Sequence, residues 1–285
     1  MFRYKLTLSY DGTRYFGWQK TRMGPSIQEM LQDAIRQITQ EAPLPEGASR
    51  TDRGVHAAAQ AVSIDLVNNW EPGPLQRALN AVLPQDIRVH SAGRAESSFH
   101  PTLDALEKEY RYRVCLGIQD PVHRLYSWAF RFPLDLERMR GEAIHFLGTR
   151  DFSAFANSGW GRCPHTPTQG LASLGNLCNG FAKGESTLPG LRAGPCLNQA
   201  KDDPVCSIRC VSIEPLEEER LEIRVTGNRF LYKMMRNIAG TLLYVGCGKL
   251  PAGSVPSIFA SKDRTRAGVT APAHGLILYR VDYLR

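Results

Sequence analysis

Residues 2–10, FRYKLTLSY, alternate between apolar and polar side chains, which is typical of a β-strand buried on one face. The apolar positions are Phe2, Tyr4, Leu6, Leu8 and Tyr10. The pattern starts again at residues 107–117, EKEYRYRVCLG, where the apolar side carries Tyr110, Tyr112, Val114 and Leu116. A half-buried strand in each half of the chain predicts sheets that are covered on one face and solvated on the other.

Helical patterns lie between the predicted strands in both halves. Residues 25–39 predict a helix with a capping box, in which Ser26 caps the Glu29 amide and the Glu29 side chain reaches back. The apolar stripe of this helix is Ile27, Met30, Leu31, Ala34, Ile35 and Ile38. Further helices are predicted from Pro74, over 135–147, over 229–246 and near 255–261, and further strands over 62–66, 86–95, 205–213, 220–226 and 276–283.

This order of elements predicts an α+β fold with two similar lobes, each a mostly antiparallel sheet with helices on one face. We place the boundary near residues 100–107, so that residues 1–104 form an N-terminal lobe and residues 105–285 a C-terminal lobe. Residues 157–204 are rich in Gly, Pro, Asn and Cys and show neither the helical nor the strand period of apolar residues. They predict a long surface insertion in the second lobe.

The charge balance favours an anionic partner. The chain has 35 Lys and Arg against 28 Asp and Glu, a formal charge of +7. Nucleic acid is the leading partner for such an excess, although a basic surface kept for solubility has the same net charge. No apolar run approaches the roughly 20 residues of a membrane span, and the N-terminus lacks the apolar core of a signal peptide. We therefore expect a cytoplasmic protein with no membrane partner.

The seven cysteines are an odd number, which fits reduced thiols better than a disulfide framework. Most of them lie with one histidine in and around the predicted insertion: Cys163, His165, Cys178, Cys196, Cys206 and Cys210. These residue types bind zinc, but their spacings form no paired C-x2-C motifs. We expect a loop with free thiols and no metal.

One carboxylate stands among cations in the stretch ASRTDRGVHAAAQ, residues 48–60. Asp52 lies between Arg50 and Arg53, and Gly54 permits a tight turn before the next strand. The stretch has two interpretations: a surface ion pair worth at most about 1 kcal/mol, or a carboxylate held ionised by nearby cations so that it can attack carbon or take a proton. The residues alone leave both open.

The predicted helix at 229–246 has a basic side. At about 100° per residue, Arg229, Lys233, Arg236 and Gly240 fall together, opposite an apolar face. Three cations in line usually mean only a solvated face. Gly240 is less ordinary, because glycine costs helix stability but allows another backbone to approach closely.

SRTDRGVHA resembles the active-site motif of the TruA-type tRNA pseudouridine synthases. Other stretches match that family in order: YDGTRYFGWQ at 10–19, SIQEMLQDAI at 26–35, EYRYRV at 109–114, DFSAF at 151–155, NRFLYKMMRNIAG at 228–240 and TAPAHGL at 270–276. The resemblance covers nearly the whole chain outside the insertion. It implies the pseudouridine synthase fold, with a positively charged cleft between the lobes, and an isomerase that joins C5 of uracil to C1′ of the ribose.

The resemblance also assigns roles to four residues. It implies that Asp52 is the nucleophile, that Arg236 lies against it, that Tyr110 stacks on the reacting base, and that Arg50 occupies the space left by the flipped base. By pattern alone, Arg50 could equally be a phosphate contact and Tyr110 a core residue. The acid could attack C1′, add to C6 or abstract the 2′ proton, and no cofactor or metal is required.

The family further implies tRNA as the substrate, with positions 38, 39 and 40 of the anticodon stem-loop as targets, and a homodimer. Two other classes compete with this interpretation. A catalytically silent tRNA-binding relative would be expected to lack the acid or the tyrosine, and both are present. A hydrolase would need a partner acid or a water-activating histidine; His56 is close in sequence, but a packing role in the turn is at least as plausible.

Overall fold

The computed structural model describes residues 1–157, 203–217 and 219–284, and it confirms the α+β fold. In chain order the described strands are β1 (Phe2–Tyr10), β2 (Glu46–Gly47), β3 (His56–Leu66), β4 (Ile87–Arg94), β5 (Ala105–Cys115), β6 (Trp128–Ala129), β7 (Gly148–Asp151), β8 (Val205–Leu216), β9 (Arg220–Gly227) and β10 (Leu276–Tyr283). The described α-helices are α1 (Ile27–Thr39), α2 (Pro72–Val82), α3 (Leu136–Ala143), α4 (Met234–Gly246) and α5 (Ser254–Ser261).

The described strands form one sheet in the order β4-β1-β3-β10-β5-β9-β8-β7, with β2 beside β3 and β6 beside β5. Neighbours are antiparallel except for β10 with β3 and β6 with β5. The C-terminal strand β10 joins the two halves of the chain, because it pairs with β3 on one side and β5 on the other. Ile277 lies opposite His56, so the junction falls where β3 begins.

The predicted alternation is confirmed on β1 and β5. The buried side chains include Tyr4, Leu6, Leu8, Tyr110, Tyr112 and Val114. α4 contacts β5, whose other face carries charged side chains. There the Arg111 guanidinium bonds the carboxylates of Glu109 (2.7 Å) and Glu222 (3.3 Å). The central strands therefore have an apolar face that packs on a helix and a charged face held together by ion pairs.

The DFSAF stretch lies in an aromatic cluster. Phe146, Phe152 and Phe155 are fully buried, and they contact the Phe259 ring on α5, with the Phe155 and Phe259 ring centroids 4.8 Å apart. Burial of several phenylalanine rings supplies a large share of core stability, because each ring removes a large apolar area from water. The motif fixes the chain next to the N-terminal part of α4.

The N-terminal cap of α1 matches half of its prediction. The Ser26 hydroxyl accepts a hydrogen bond from the Glu29 N–H at 3.3 Å. The Glu29 carboxylate instead pairs with Lys20, at 3.2 Å, so the reciprocal bond of the capping box is not made among the described residues. The predicted helix at 135–147 is α3 followed by a 3₁₀ turn over Ile144–Phe146.

The prediction that a helix begins at residue 229 is wrong. α4 begins at Met234, and the preceding Lys233 has a left-handed backbone with φ of 59°. A left-handed residue cannot continue a right-handed helix. Arg229 and Lys233 consequently precede the helix, and the predicted line of cations on one helical face does not exist. α4 is also buried on most sides, since Asn237, Gly240 and Thr241 are buried together with its apolar residues.

Residues 158–202 of the predicted insertion at 157–204, including Cys163, His165, Cys178 and Cys196, lie outside the described residues. Cys206 and Cys210 both lie on β8, the first buried and the second exposed. No helix in the described part of the chain combines the length and the apolar composition needed to cross a membrane.

Candidate active site

The loop that carries Asp52 is packed against the YDGTRYFGWQ stretch. The Trp18 N–H donates to the Thr51 carbonyl at 3.0 Å, and the Gly54 N–H donates to the Tyr15 carbonyl at 3.3 Å. Gly17 has φ of +93°, and a Cβ there would lie 2.5 Å from the Thr51 carbonyl oxygen. Only glycine fits such a left-handed, closely approached position. The two matched stretches therefore form one structural unit.

Asp52 lies against Arg236, as the resemblance implies. The Arg236 Nη1 donates to the Asp52 Oδ2 at 3.0 Å, and the side chains of Arg236 and Asp52 are 14% and 18% exposed. Arg236 is also held from behind, because its Nε donates to the Ala271 carbonyl at 2.7 Å. This charge-assisted bond orients the carboxylate and offsets its charge while leaving part of it accessible.

α4 meets the segment 268–271 at very close range. A Cβ on Gly240 would overlap the Val269 carbonyl oxygen, and the Gly268 N–H donates to the Thr241 hydroxyl at 3.0 Å. The expectation that Gly240 admits a second backbone is therefore met, although that backbone is a covering segment of the same chain. Since this segment contains Ala271, the close approach positions the carbonyl that orients Arg236.

Asn237 ties four parts of the chain together beside Arg236. Its side-chain nitrogen donates to the Phe155 carbonyl at 2.7 Å, and its side-chain oxygen accepts from Arg264 and Thr270, each at 2.7 Å. Asn237 is fully buried, so these bonds satisfy a polar group that would otherwise destabilise the core. The DFSAF, NRFLYKMMRNIAG and TAPAHGL stretches are joined through this one amide.

Tyr110 projects from β5 to the same loop. Its hydroxyl lies 2.6 Å from the Ser49 Oγ, and its ring meets Phe230 edge to face, with centroids 4.8 Å apart. Burial raises the pKa of the Tyr110 phenol to about 12, and the nearby Asp52 charge acts in the same direction. The phenol is neutral at physiological pH, and its ring is a rigid apolar surface close to the acid.

The two arginines that flank Asp52 in sequence do not pair with it. Arg50 is exposed and makes no hydrogen bond, ion pair or ring contact with the described residues. The Arg53 guanidinium lies over the Phe16 ring, 4.2 Å from its centroid. That Arg50 and Arg53 favour the ionised form of Asp52 therefore stays a prediction, since neither forms an ion pair with it among the described residues. The cation at Asp52 is Arg236.

Sequence reasoning missed the residues that hold the loop from beneath. Lys108 is buried, and its Nζ donates to the Ala48 carbonyl at 2.7 Å. The buried Gln60 accepts from the Ser49 N–H at 3.1 Å and donates back to the Ser49 carbonyl. Burial, with a smaller contribution from the charge of Arg229, lowers the pKa of Lys108 to about 8. The sequence feature that could have identified Lys108 is its position in an alternating strand, where it lies on the same apolar face as Tyr110.

His56 is enclosed at the start of β3. Its Nδ1 accepts from the Gly12 N–H at 3.1 Å, and its Nε2 lies 3.0 Å from the Leu125 carbonyl and 3.2 Å from that of His274. Burial is the main reason that the pKa of His56 is lowered, with Asp11 opposing the shift. Both ring nitrogens are engaged by backbone groups, which supports the packing role over a water-activating one.

These observations define what the site can do. A single accessible carboxylate is held by one guanidinium, next to a neutral tyrosine, on a loop that is braced from two sides. Within the described residues, no three His, Cys, Asp or Glu side chains are grouped to hold a metal ion. Such a site is typical of enzymes that use one carboxylate as nucleophile or base.

Comparison with known proteins narrows this class. The family model for tRNA pseudouridine synthase matches residues 7–102 and 195–284. Among curated relatives, "tRNA pseudouridine synthase A 2" of Protochlamydia amoebophila (strain UWE25) is 41% identical over 283 residues, covering 98% of this chain and 93% of the relative. "tRNA pseudouridine synthase A" of Thermoanaerobacter sp. (strain X514) is 36% identical with 98% of both chains covered, and that of Myxococcus xanthus is 37% identical with 99% and 92% covered.

The chain belongs to the tRNA pseudouridine synthase family, whose members are isomerases that convert uridine to pseudouridine. A solved structure, "Crystal Structure of a Cbf5-Nop10-Gar1 Complex", aligns over 96% of this chain and 48% of that chain, at 11% identity and a TM-score of 0.35. Nothing about this chain is inferred from that alignment. Its membership of the family is shown by the curated relatives and the family model.

Proposed function

We propose that this protein isomerises uridine to pseudouridine in the anticodon stem-loop of tRNA, at positions 38, 39 and 40, with Asp52 as the nucleophile. The observation that carries the proposal is the 3.0 Å bond between Asp52 and Arg236 in a loop braced by the family's other matched stretches. A carboxylate that is oriented and only partly exposed is poised to attack rather than to be solvated.

The reaction conserves every atom of the nucleoside. The N1–C1′ bond breaks, the uracil turns, a C5–C1′ bond forms, and the proton lost from C5 is balanced by one gained at N1. Neither an oxidant nor a second substrate is consumed, so one carboxylate suffices. Attack at C1′, addition at C6 and abstraction of the 2′ proton all begin from the same ionised Asp52, and Arg236 would stabilise it in each route.

We assign Tyr110 and Arg50 to the target base. A uridine inside a helical stack hides its C1′, so it must leave the stack before it can react. The Tyr110 ring beside Asp52 supports a stacking role, since aromatic stacking contributes roughly 1–3 kcal/mol per base. The guanidinium of Arg50, which is exposed and has no partner within the described part of the chain, supports insertion into the vacated space.

The remaining proposals concern the cellular compartment, the RNA partner, the oligomeric state and the division into lobes. We infer a cytoplasmic RNA-binding protein that forms a homodimer, with no metal or cofactor. The net charge of +7 supports contact with the phosphates of RNA. We also propose two lobes, residues 1–104 and residues 105–285, with a basic cleft between them. The position of the Asp52 loop next to the junction of β3 and β10 supports this division.

The charge of Asp52 provides the first test. Asp52→Asn keeps the shape of the side chain but removes the negative charge, so it should abolish pseudouridine formation and leave tRNA affinity within about threefold of the parent. Asp33→Asn, an exposed carboxylate on α1, is the matched control and should retain full activity. Pseudouridine would be mapped by position in tRNA after incubation with each purified protein in the presence of a chelator.

Each outcome bears on a separate part of the proposal. Full pseudouridine formation by Asp52→Asn would show that Asp52 is not the nucleophile. Binding without any modification by the parent protein would favour the catalytically silent relative. Activity that disappears with chelator and returns with zinc would contradict the absence of a metal, and modification outside the anticodon stem-loop would contradict the assigned positions.

A further inference from the structure

An open groove of about 500 Å³ adjoins the Asp52 loop. Residues that line it include Thr13, Arg53, Gly54, Gln119, Arg124 and His274, from both halves of the chain. Asp52 and Arg53 are adjacent in sequence, but Asp52 pairs with Arg236 whereas Arg53 lies on Phe16. One lining residue, Arg53, therefore directly follows the acid in the chain.

Two guanidiniums in the groove are oriented in advance. Arg53 stacks on the Phe16 ring, a contact that holds the plane of the group without using its N–H donors. The Arg124 Nη1 donates to the Pro121 carbonyl at 2.8 Å, which fixes one edge and leaves the other N–H groups available. Neither guanidinium forms an ion pair with a described residue, so both keep their full charge toward the groove.

The rest of the lining does not cancel this charge. No carboxylate is among the described residues that line the groove. Asp11, bonded to the lining residue Thr13, uses its oxygens to accept from the Thr13 N–H (2.9 Å) and hydroxyl (2.5 Å) and from the Tyr126 hydroxyl (2.8 Å). Burial and the neighbouring His56 lower the pKa of His274, so His274 adds no charge at pH 7. The groove is a cationic concavity made by Arg53 and Arg124.

We propose that this groove binds one phosphodiester of the RNA strand that carries the target uridine, at a linkage next to the flipped nucleotide. Planar guanidiniums with free N–H edges match the oxygens of a phosphate. A nucleotide that leaves its stack rotates about its own backbone, so a fixed phosphate on one side gives that rotation an anchor. The inference rests on the proposed function, and it adds the subsite that holds the neighbouring linkage.

The test is a double-mutant cycle between protein and RNA. Binding of an anticodon stem-loop RNA would be measured across a salt series for the parent protein, Arg53→Gln, Arg124→Gln and the control Arg36→Gln, an exposed arginine on α1. We expect each groove variant to bind about tenfold more weakly and its log–log salt slope to fall by roughly 0.7. The control should stay within about twofold. Thermal melts would verify that all four proteins are folded.

The RNA arm of the cycle identifies the phosphate. Uncharged methylphosphonate linkages would be placed one at a time around the target uridine. At one linkage, the methylphosphonate should weaken binding by the parent protein. It should not weaken binding by Arg124→Gln any further, because the variant already lacks the contact with that phosphate. Groove variants that bind every RNA as the Arg36→Gln control does would overturn the groove proposal. A parent protein that binds RNA but forms no pseudouridine would overturn the proposed function instead.

Discussion

Arg236 makes two hydrogen bonds in different directions, and this geometry sets what a substitution at the residue can keep. One bond reaches Asp52 and the other reaches the Ala271 carbonyl. A guanidinium has a planar fork of donors that can make both bonds, whereas an ammonium is a single point of charge. At the scale of the residue, the site therefore depends on the orientation of Arg236 as well as on its charge.

Arg236→Ala should lower the single-turnover rate at saturating enzyme roughly 30- to 100-fold, corresponding to a charge-assisted hydrogen bond of about 2–3 kcal/mol. Arg236→Lys should recover only part of the loss, since it keeps the charge and loses the second bond. Arg266→Ala, at an exposed arginine in the 3₁₀ turn Arg264–Arg266 that precedes the segment 268–271, should leave the rate unchanged. If Arg236→Ala loses only tRNA affinity, Arg236 belongs to the RNA-binding surface and not to the acid.

At the scale of the element, α4 and the segment 268–271 act as one unit. Gly240 and Gly268 let the two backbones touch, and Asn237 bonds both sides of the contact. Glycine costs stability inside a helix, so its presence in the middle of α4 is explained by the neighbour and not by the helix. The contact orients Arg236 through Ala271.

Gly240→Ala should lower the free energy of unfolding by about 2–4 kcal/mol, because its Cβ would overlap the Val269 carbonyl and force the segment away. Activity should fall with it. Gly141→Ala in α3 is the matched control: a Cβ there meets no atom within 4 Å, so the helix should gain up to about 1 kcal/mol. Urea denaturation would measure both, and equal effects from the two changes would contradict the close packing.

At the scale of the whole molecule, the two halves meet at His56, which is buried, and His274, which is half-buried. His56, from the first half, lies against the Leu125 and His274 carbonyls of the second. Burial is the main cause that lowers the pKa of His56 and also that of His274 below the ordinary value of 6.5. The folded protein therefore binds fewer protons than the unfolded chain as the pH falls through 6.5.

This difference predicts acid sensitivity. Since stability rises with pH wherever the unfolded state binds more protons, the free energy of unfolding should decline from about pH 7 to pH 5.5, by at most ~1.4 kcal/mol per pH unit for each histidine. The carboxylates with lowered pKa, such as Asp65, lose their contribution only near pH 4 and below. His274→Asn should flatten the decline, and His90→Gln, at an exposed position, should not. A curve that stays flat for the parent protein would contradict the assignment.

The local patterns of the chain determined its elements and several positions of the site. Alternation in β1 and β5 and the cap at Ser26 depend on neighbours within a few residues, so the sequence alone predicted them. The same holds for the turn at Gly54, whose φ is 78°. That Asp52 is the reactive group came from the resemblance and stays a prediction, as does the role of Arg50.

Local spacing did not determine which cation contacts the acid; the resemblance implied Arg236, and the contact itself is a tertiary one. Arg50 and Arg53 are close in sequence, but Asp52 pairs with Arg236, 184 positions later. The parallel pairing of β10 with β3 is likewise a contact between distant parts of the chain. Local spacing is set by the backbone period, which each segment carries by itself. The meeting of remote segments is set by the burial of apolar surface and the satisfaction of buried polar groups, which depend on the whole chain at once.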